Sequence, residues 1–193
     1  MKLRAGVPYA LCVSTFFAAS AATSSFADAP SLDKVAAILV RALAYDRSLD
    51  ARAGDSVAVA VLSANDAGSR AAAKKMYDAL KPLTSAKLQG RPMKALALAW
   101  TDAASLERAI DEGGVDAICL APGLDAVLPD ILGVVHKKHV TTLTNVVDYV
   151  ERGAAVAVTI DDGKPHIVIN LTASRAEGGQ LSSELVGLAR VIR

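Results

Sequence analysis

The sequence predicts a three-layer α/β sandwich whose sheet is mostly parallel and ends in an antiparallel hairpin and a C-terminal helix. Three observations predict it. Short continuous apolar runs at 57–62, 94–100 and 115–120 have the composition of strands covered on both faces. Segments with helical spacing alternate with them, as in βαβ units. Near the end, Asp161-Asp162-Gly163-Lys164-Pro165 separates two β-branched runs, the pattern of a tight hairpin.

Each element follows from local chemistry. Leu32, Val35, Ala36, Leu39 and Leu43 share one helical face, and Ser31 can cap a helix running to about Arg47. Ala53-Gly54-Asp55 breaks it, and Val57–Leu62 reads as the first strand. Ser63-Ala64-Asn65-Asp66 closes that strand, and a helix runs from Asp66 to about Leu80, where Pro82 ends it. The unit repeats with a strand at 94–100, a cap at Thr101-Asp102 and a helix over 103–110 that Gly113-Gly114 stops. A strand at 115–120, a helix over 124–138 and a strand at 140–143 follow. Strands at 153–160 and 166–171 flank the Asp-Gly turn. Thr172 to Ile192 reads as the closing helix, with Gly178-Gly179 as a break or kink. Ile167, Ile169, Leu171, Leu181, Leu185, Leu188 and Ile192 are the core positions of this last block.

The N-terminus reads as an export signal. Lys2 and Arg4 precede an apolar stretch over 7–22, and Ser25-Phe26-Ala27 fits a signal-peptidase site. The stretch is short and rich in Ser and Ala for a membrane span. The expectation is a signal peptide over 1–27, cleaved near Ala27, and a single exported domain over 28–193, periplasmic in a Gram-negative cell. Taking 27 residues from the 193-residue chain leaves 166, enough for one ordinary core. The formal charge of +1 becomes −1 once Lys2 and Arg4 leave, and without a basic stripe it gives no support for nucleic-acid binding. Cys12 leaves with the signal, so Cys119 has no intrachain disulfide partner, and its apolar surroundings mark it as a core residue.

Candidate chemistry is sparse. His136 and His139 have the i,i+3 spacing of a metal pair, but Lys137 and Lys138 lie between them, so the segment reads as a cationic helix end. Asp161 and Asp162 are adjacent in a turn, so their side chains diverge rather than converge for acid–base work. No nucleophile elbow, phosphate loop or dinucleotide glycine pattern is present. The residues assemble no catalytic set and ask for no metal or cofactor. One ligand site is suggested by position: Ser63, Asn65, Thr101 and Asn145 fall at carboxyl ends of strands, where open α/β sheets bind ligands. Capping of the following helices accounts for the same residue types.

The tail carries a family resemblance. Ile169-Asn170-Leu171, Ala173, Arg175, Gln180-Leu181-Ser182-Ser183-Glu184-Leu185, Leu188-Ala189 and Val191-Ile192 resemble the closing strand and helix of the YfiR-like periplasmic proteins. Leu143-Thr144, Asp148-Tyr149-Val150 and Gly153-Ala154-Ala155-Val156 resemble the stretch before it, and Lys34 with its helix resembles the opening. The aromatic end of the family's first helix is replaced by Tyr45-Asp46-Arg47-Ser48-Leu49, and the disulfides common in the family cannot form here.

The resemblance implies a non-enzymatic periplasmic regulator that binds the periplasmic domain of an inner-membrane signalling protein, such as a diguanylate cyclase, and keeps it inactive. The exposed hairpin residues Asp161, Asp162 and Lys164 are the expected partner surface. A small solute-binding component of a transport system is the alternative reading, and the strand-end residues would then hold a small polar ligand. Pairing with a second copy as a homodimer stays open.

Overall fold

The computed structural model describes residues 32–193. The expected signal peptide and the cap expected at Ser31 lie outside the described residues. The strands are β1 (Val57–Ser63), β2 (Lys87–Leu88), β3 (Arg91–Ala99), β4 (Val115–Leu120), β5 (Thr141–Thr144), β6 (Val156–Asp161), β7 (Lys164–Asn170) and β8 (Arg190–Ile192). The helices are α1 (Leu32–Ala44), α2 (Leu49–Arg52), α3 (Ala67–Leu80), α4 (Ala103–Gly113), α5 (Leu128–Lys138), α6 (Val147–Glu151), α7 (Leu171–Ala176) and α8 (Ser183–Leu188). The strands form one sheet in the order β2-β3-β1-β4-β5-β6-β7-β8. β3, β1, β4, β5 and β6 run parallel, whereas β2–β3 and β6–β7 are antiparallel.

Every residue of β1 and β4 is buried, because helices cover both faces of the sheet. Val57, Val59 and Val61 pack with Leu39 and Leu43 of α1 and Met76 of α3. The alternate residues Ala60 and Leu62 pack with Ile110 of α4 and Ile131 and Val135 of α5. A strand's period of two therefore supplies two cores from one apolar run. The three-layer α/β architecture matches the sequence reading.

One irregularity is built into the centre. The β1–β4 register shifts between Ala58 and Val59. The amide of Ala58 donates instead to Asp116 Oδ2 at 2.8 Å, so a carboxylate restores a bond the ladder loses. Burial, the largest influence on Asp116, raises its pKa.

Three departures from the sequence reading have identifiable causes. β3 starts at Arg91, because Gln89 and Gly90 take positive φ and turn β2 back onto it. α5 starts at Leu128, after a loop in which the amide of Leu124 donates to Tyr149 Oη at 2.9 Å. The closing helix is instead α7, α8 and strand β8. Gly178 has φ +77°, which ends α7 and turns the chain, and the turn brings Gly179 so close to Ser174 that an added Cβ would lie 2.9 Å from its carbonyl. Arg190–Ile192 then pair in parallel with Val168–Asn170. Of the expected core positions in this block, Ile169 and Leu185 are buried, whereas Leu188 is 76% exposed.

Candidate functional site

The winding of the chain reverses between β1 and β4, which leaves a crevice at their carboxyl ends. A cleft of about 290 Å³ opens there, walled by Ala72 and Met76 of α3 and by Leu120, with Lys75 and Asn145 as its polar groups. Asn145, half-buried after β5, is the residue of the expected ligand set that lines it. Ser63 is buried at the end of β1, with its Oγ 3.5 Å from the Leu98 carbonyl, and lines a separate groove between α3 and β3. Asn65 and Thr101 are exposed in the turns before α3 and α4 and line neither. The four residues therefore share one edge of the sheet without converging on one point.

The helix starts at this edge are already capped. Asp66 Oδ1 accepts the Ser69 amide at 2.8 Å, and Asp102 Oδ1 accepts the Ser105 amide at 2.8 Å. The bonds from the Ser105 amide and hydroxyl hold the Asp102 carboxyl below its usual range. Free helix amides are thus scarce here as an anion site.

The hairpin turn matches its expected form. Asp162 and Gly163 take φ +48° and +73°, the two positive values a type I′ turn requires, and Asp161 pairs with Lys164. Asp161, Asp162 and Lys164 are all exposed. The turn therefore presents two carboxylates and one ammonium at its tip.

A second constellation lies at the opposite, amino-terminal edge of β5 and is absent from the sequence reading. Asp46 is fully buried after α1. Its Oδ1 accepts from the amide and hydroxyl of Ser48 at 3.0 and 2.7 Å and from the Gln180 amide at 2.7 Å. Its Oδ2 accepts from Arg52 Nη2 at 2.5 Å. Arg52 also donates to the His139 carbonyl and to Thr141 Oγ1. Glu177, likewise fully buried, accepts the Thr142 amide at 2.8 Å and its hydroxyl at 2.6 Å. Burial pushes the Glu177 carboxyl up to about 8, against the Thr142 bonds and the Arg52 charge.

This cluster is a clamp. It joins the segment after α1 to the start of β5 and to the loop between α7 and α8. Both carboxylates are enclosed and engaged, so neither faces a space where a substrate could sit. No local pattern signalled it, since its members lie up to 134 residues apart.

Cys119 is buried, and burial raises its thiol to about 12, far from the thiolate chemistry of a reactive cysteine. His136 lies in the last turn of α5, where burial lowers its pKa, and His139 caps that helix with φ +54°. Among the described residues no group of three His, Cys, Asp or Glu side chains could hold a metal ion, and no helix is long and apolar enough to cross a membrane.

A family model described as YfiR/HmsC-like matches residues 33–190. Comparison with curated proteins gives no match. Among solved structures, the chain is similar to an ABC domain in complex with L-Trp from Streptococcus pneumonia, with TM-score 0.59 and 11% identity over 84% of this chain and 62% of that one. It is also similar to a conserved domain protein from Vibrio cholerae, with TM-score 0.58 and 16% identity over 84% and 60% of the two chains. A third is the ligand-free, open form of a substrate-binding protein with adhesive properties from Clostridium difficile, with TM-score 0.54 and 14% identity over 76% and 57%. The chain thus spans about three fifths of each of these structures. At such identities the likeness is one of fold.

Proposed function

The chain belongs to the YfiR/HmsC-like family, and from that membership we propose that it is an exported, non-enzymatic regulator. In this reading it binds the periplasmic domain of an inner-membrane signalling protein, a diguanylate cyclase or related sensor, and holds it inactive. The family match over 33–190 carries the reading, because it takes in both cores, the hairpin and the closing segment. The exposed, oppositely charged tip formed by Asp161, Asp162 and Lys164 is the proposed partner surface.

The test is cellular cyclic di-GMP in a strain that makes the membrane cyclase. Expression of the full chain lowers it, whereas a chain without residues 1–27 does not. Reversing the charges at Asp161, Asp162 and Lys164 restores the nucleotide while the protein stays folded and exported. Unchanged cyclic di-GMP on expression of the full chain overturns the reading.

The cleft beside Asn145 supports a second reading, that of a small solute-binding protein. A ligand bound only by the folded chain raises its melting temperature, and an Asn145→Ala variant loses that rise. A metabolite screen without such a ligand removes this reading.

A further inference from the structure

β3 is nine residues long, yet β2 pairs only with Arg91 and Pro92 at its outer side. From Met93 to Ala99 that side has no strand neighbour among the described residues, although the 3-10 turn Lys81–Ser85 packs beside Met93–Ala95. The Trp100 amide donates to the Ser63 carbonyl, and Ser63 Oγ approaches the Leu98 carbonyl, so even-numbered residues direct their backbone groups toward β1. In a parallel ladder the alternate residues point the other way. The N–H and C=O groups of Ala95, Ala97 and Ala99 therefore face outward, beyond any strand that pairs with β3.

Natural sheets usually blunt such an edge with proline, a bulge, brevity or charge. The far side of this sheet is blunted in that way: β8 has three residues, and the uncovered start of β7 carries Lys164 and Pro165. The uncovered part of β3 has no proline and no register shift, and Lys94 is its single charge. Ala97 and Ala99 are exposed, and Leu96 and Leu98 are half-buried.

The edge is also strongly basic. Between Ala67 and Lys94 the chain has seven Lys or Arg residues and one carboxylate, Asp78. The near-neutral total hides this pole, which the sequence reading passed over. Arg70 and Lys74 line a groove of about 270 Å³ with Ala97 and Ala99, and Lys81 and Lys94 line the next one with Ala95. Lys74 pairs with Asp78, while Arg70, Lys81 and Lys94 make no ion pair among the described residues. A second copy placed across a two-fold axis would bring these cations together, so charge disfavours it.

We propose that the open edge of β3 captures an extended acidic segment of another protein by strand addition. Backbone bonds to Ala95, Ala97 and Ala99 hold the segment. Its side chains alternate between faces. Carboxylates on the α3 side reach Arg70, Lys74 and Lys81, and aliphatic side chains on the other side lie against Leu96 and Leu98. The inference rests on the reading of this chain as a binding protein, but on neither the cyclase nor the hairpin tip.

The probe is a fluorescein-labelled octapeptide of alternating Val and Glu, titrated by anisotropy into the chain lacking residues 1–27. Saturable binding is expected, weakened about tenfold or more by Arg70→Glu with Lys74→Glu and by rising salt. A peptide of the same composition with all Val before all Glu binds about tenfold more weakly. N-methylating one alternate set of peptide amides abolishes binding, and methylating the other set spares it. That asymmetry leaves the protein untouched, so it stands even where an Ala97→Pro edge variant fails to fold. Equal binding of both sequence orders, or equal effects of both methylation patterns, reduces the edge to a cationic surface and overturns strand addition. So does binding to phosphatidylglycerol vesicles without peptide binding, or a dimer that Ala97→Pro dissociates. Charge reversal at the hairpin tip leaves peptide binding unchanged, which separates this inference from the cyclase reading.

Discussion

Replacing Glu177 by Gln should remove an alkaline loss of stability. The carboxyl is fully buried, and burial raises it from 4.5 to about 8. The folded chain therefore holds this proton more tightly than the unfolded chain. The contribution to stability is complete below 4.5 and is lost as the pH rises through 8. That interval corresponds to about 5 kcal/mol as an upper bound, at about 1.4 kcal/mol per pH unit, and relaxation around the ionised group reduces it. Glutamine has the shape of the protonated acid and cannot ionise. Either one leaves the Thr142 hydroxyl, already an acceptor for the Ala155 amide at 2.7 Å, with less to donate to. Glu177→Gln should thus stay within about 1 kcal/mol of the parent at pH 5 and be several kcal/mol more stable at pH 9. Urea unfolding at pH 5, 7 and 9 measures both proteins, and their difference cancels the other titrating groups. Parallel pH profiles, or a variant that is weaker at pH 9, would refute the burial argument.

Other sites give simpler expectations. Asp116→Ala removes the acceptor of the Ala58 amide inside the sheet and should cost about 1–3 kcal/mol in urea unfolding, with Asp116→Asn recovering most of it. Gly179→Ala should destabilise the chain by several kcal/mol, because the new methyl would meet the Ser174 carbonyl at 2.9 Å; a melting temperature within a degree of the parent contradicts that geometry. Cys119 should resist a thiol reagent in the native protein and react at once in denaturant, because only unfolding frees a thiol held near 12.

What could be read from the sequence depended on whether its cause was local. Val57–Leu62 and Val115–Leu120 were legible because strands buried on both faces need unbroken apolar runs. The hairpin was legible because Asp162-Gly163 suits positive φ at both turn positions. The closing block misled because Leu181, Leu185 and Leu188 have helical spacing, whereas the positive φ of Gly178 and pairing of Arg190–Ile192 with β7 decide the outcome. Gly178-Gly179 marks the break locally, whereas the pairing with β7 is not visible in a local pattern. Strand order puts the expected ligand residues at the carboxyl edge of the sheet, but whether they converge depends on side-chain direction. Asp46, Arg52 and Glu177 each look like ordinary surface charges in sequence, and only the fold makes them neighbours.

The clamp bears on a departure of this chain from its relatives. The resemblance implies disulfides in the family, and here the single cysteine of the described residues is buried in the core. Asp46 stands where the first helix would carry the family's aromatic end, and it binds Gln180, 134 residues away. A disulfide across such a span owes its strength to the unfolded chain and is indifferent to protons. A charged clamp instead depends on how its charges are shared, and here the guanidinium paired with Asp46 also acts through its field on Glu177. Asp46 raises the Glu177 pKa and Arg52 lowers it. Asp46→Asn keeps much of the hydrogen-bonding shape but removes one negative charge, so Glu177 should ionise at lower pH and the alkaline loss of stability should shrink. Arg52→Gln removes the shared cation, so the loss should deepen, added to a cost of about 3–5 kcal/mol from the buried, unpaired Asp46. Urea unfolding of the two variants from pH 5 to 9 measures both slopes. Slopes that match the parent's in both variants would show that Glu177 titrates without reference to these two charges and would refute the coupling.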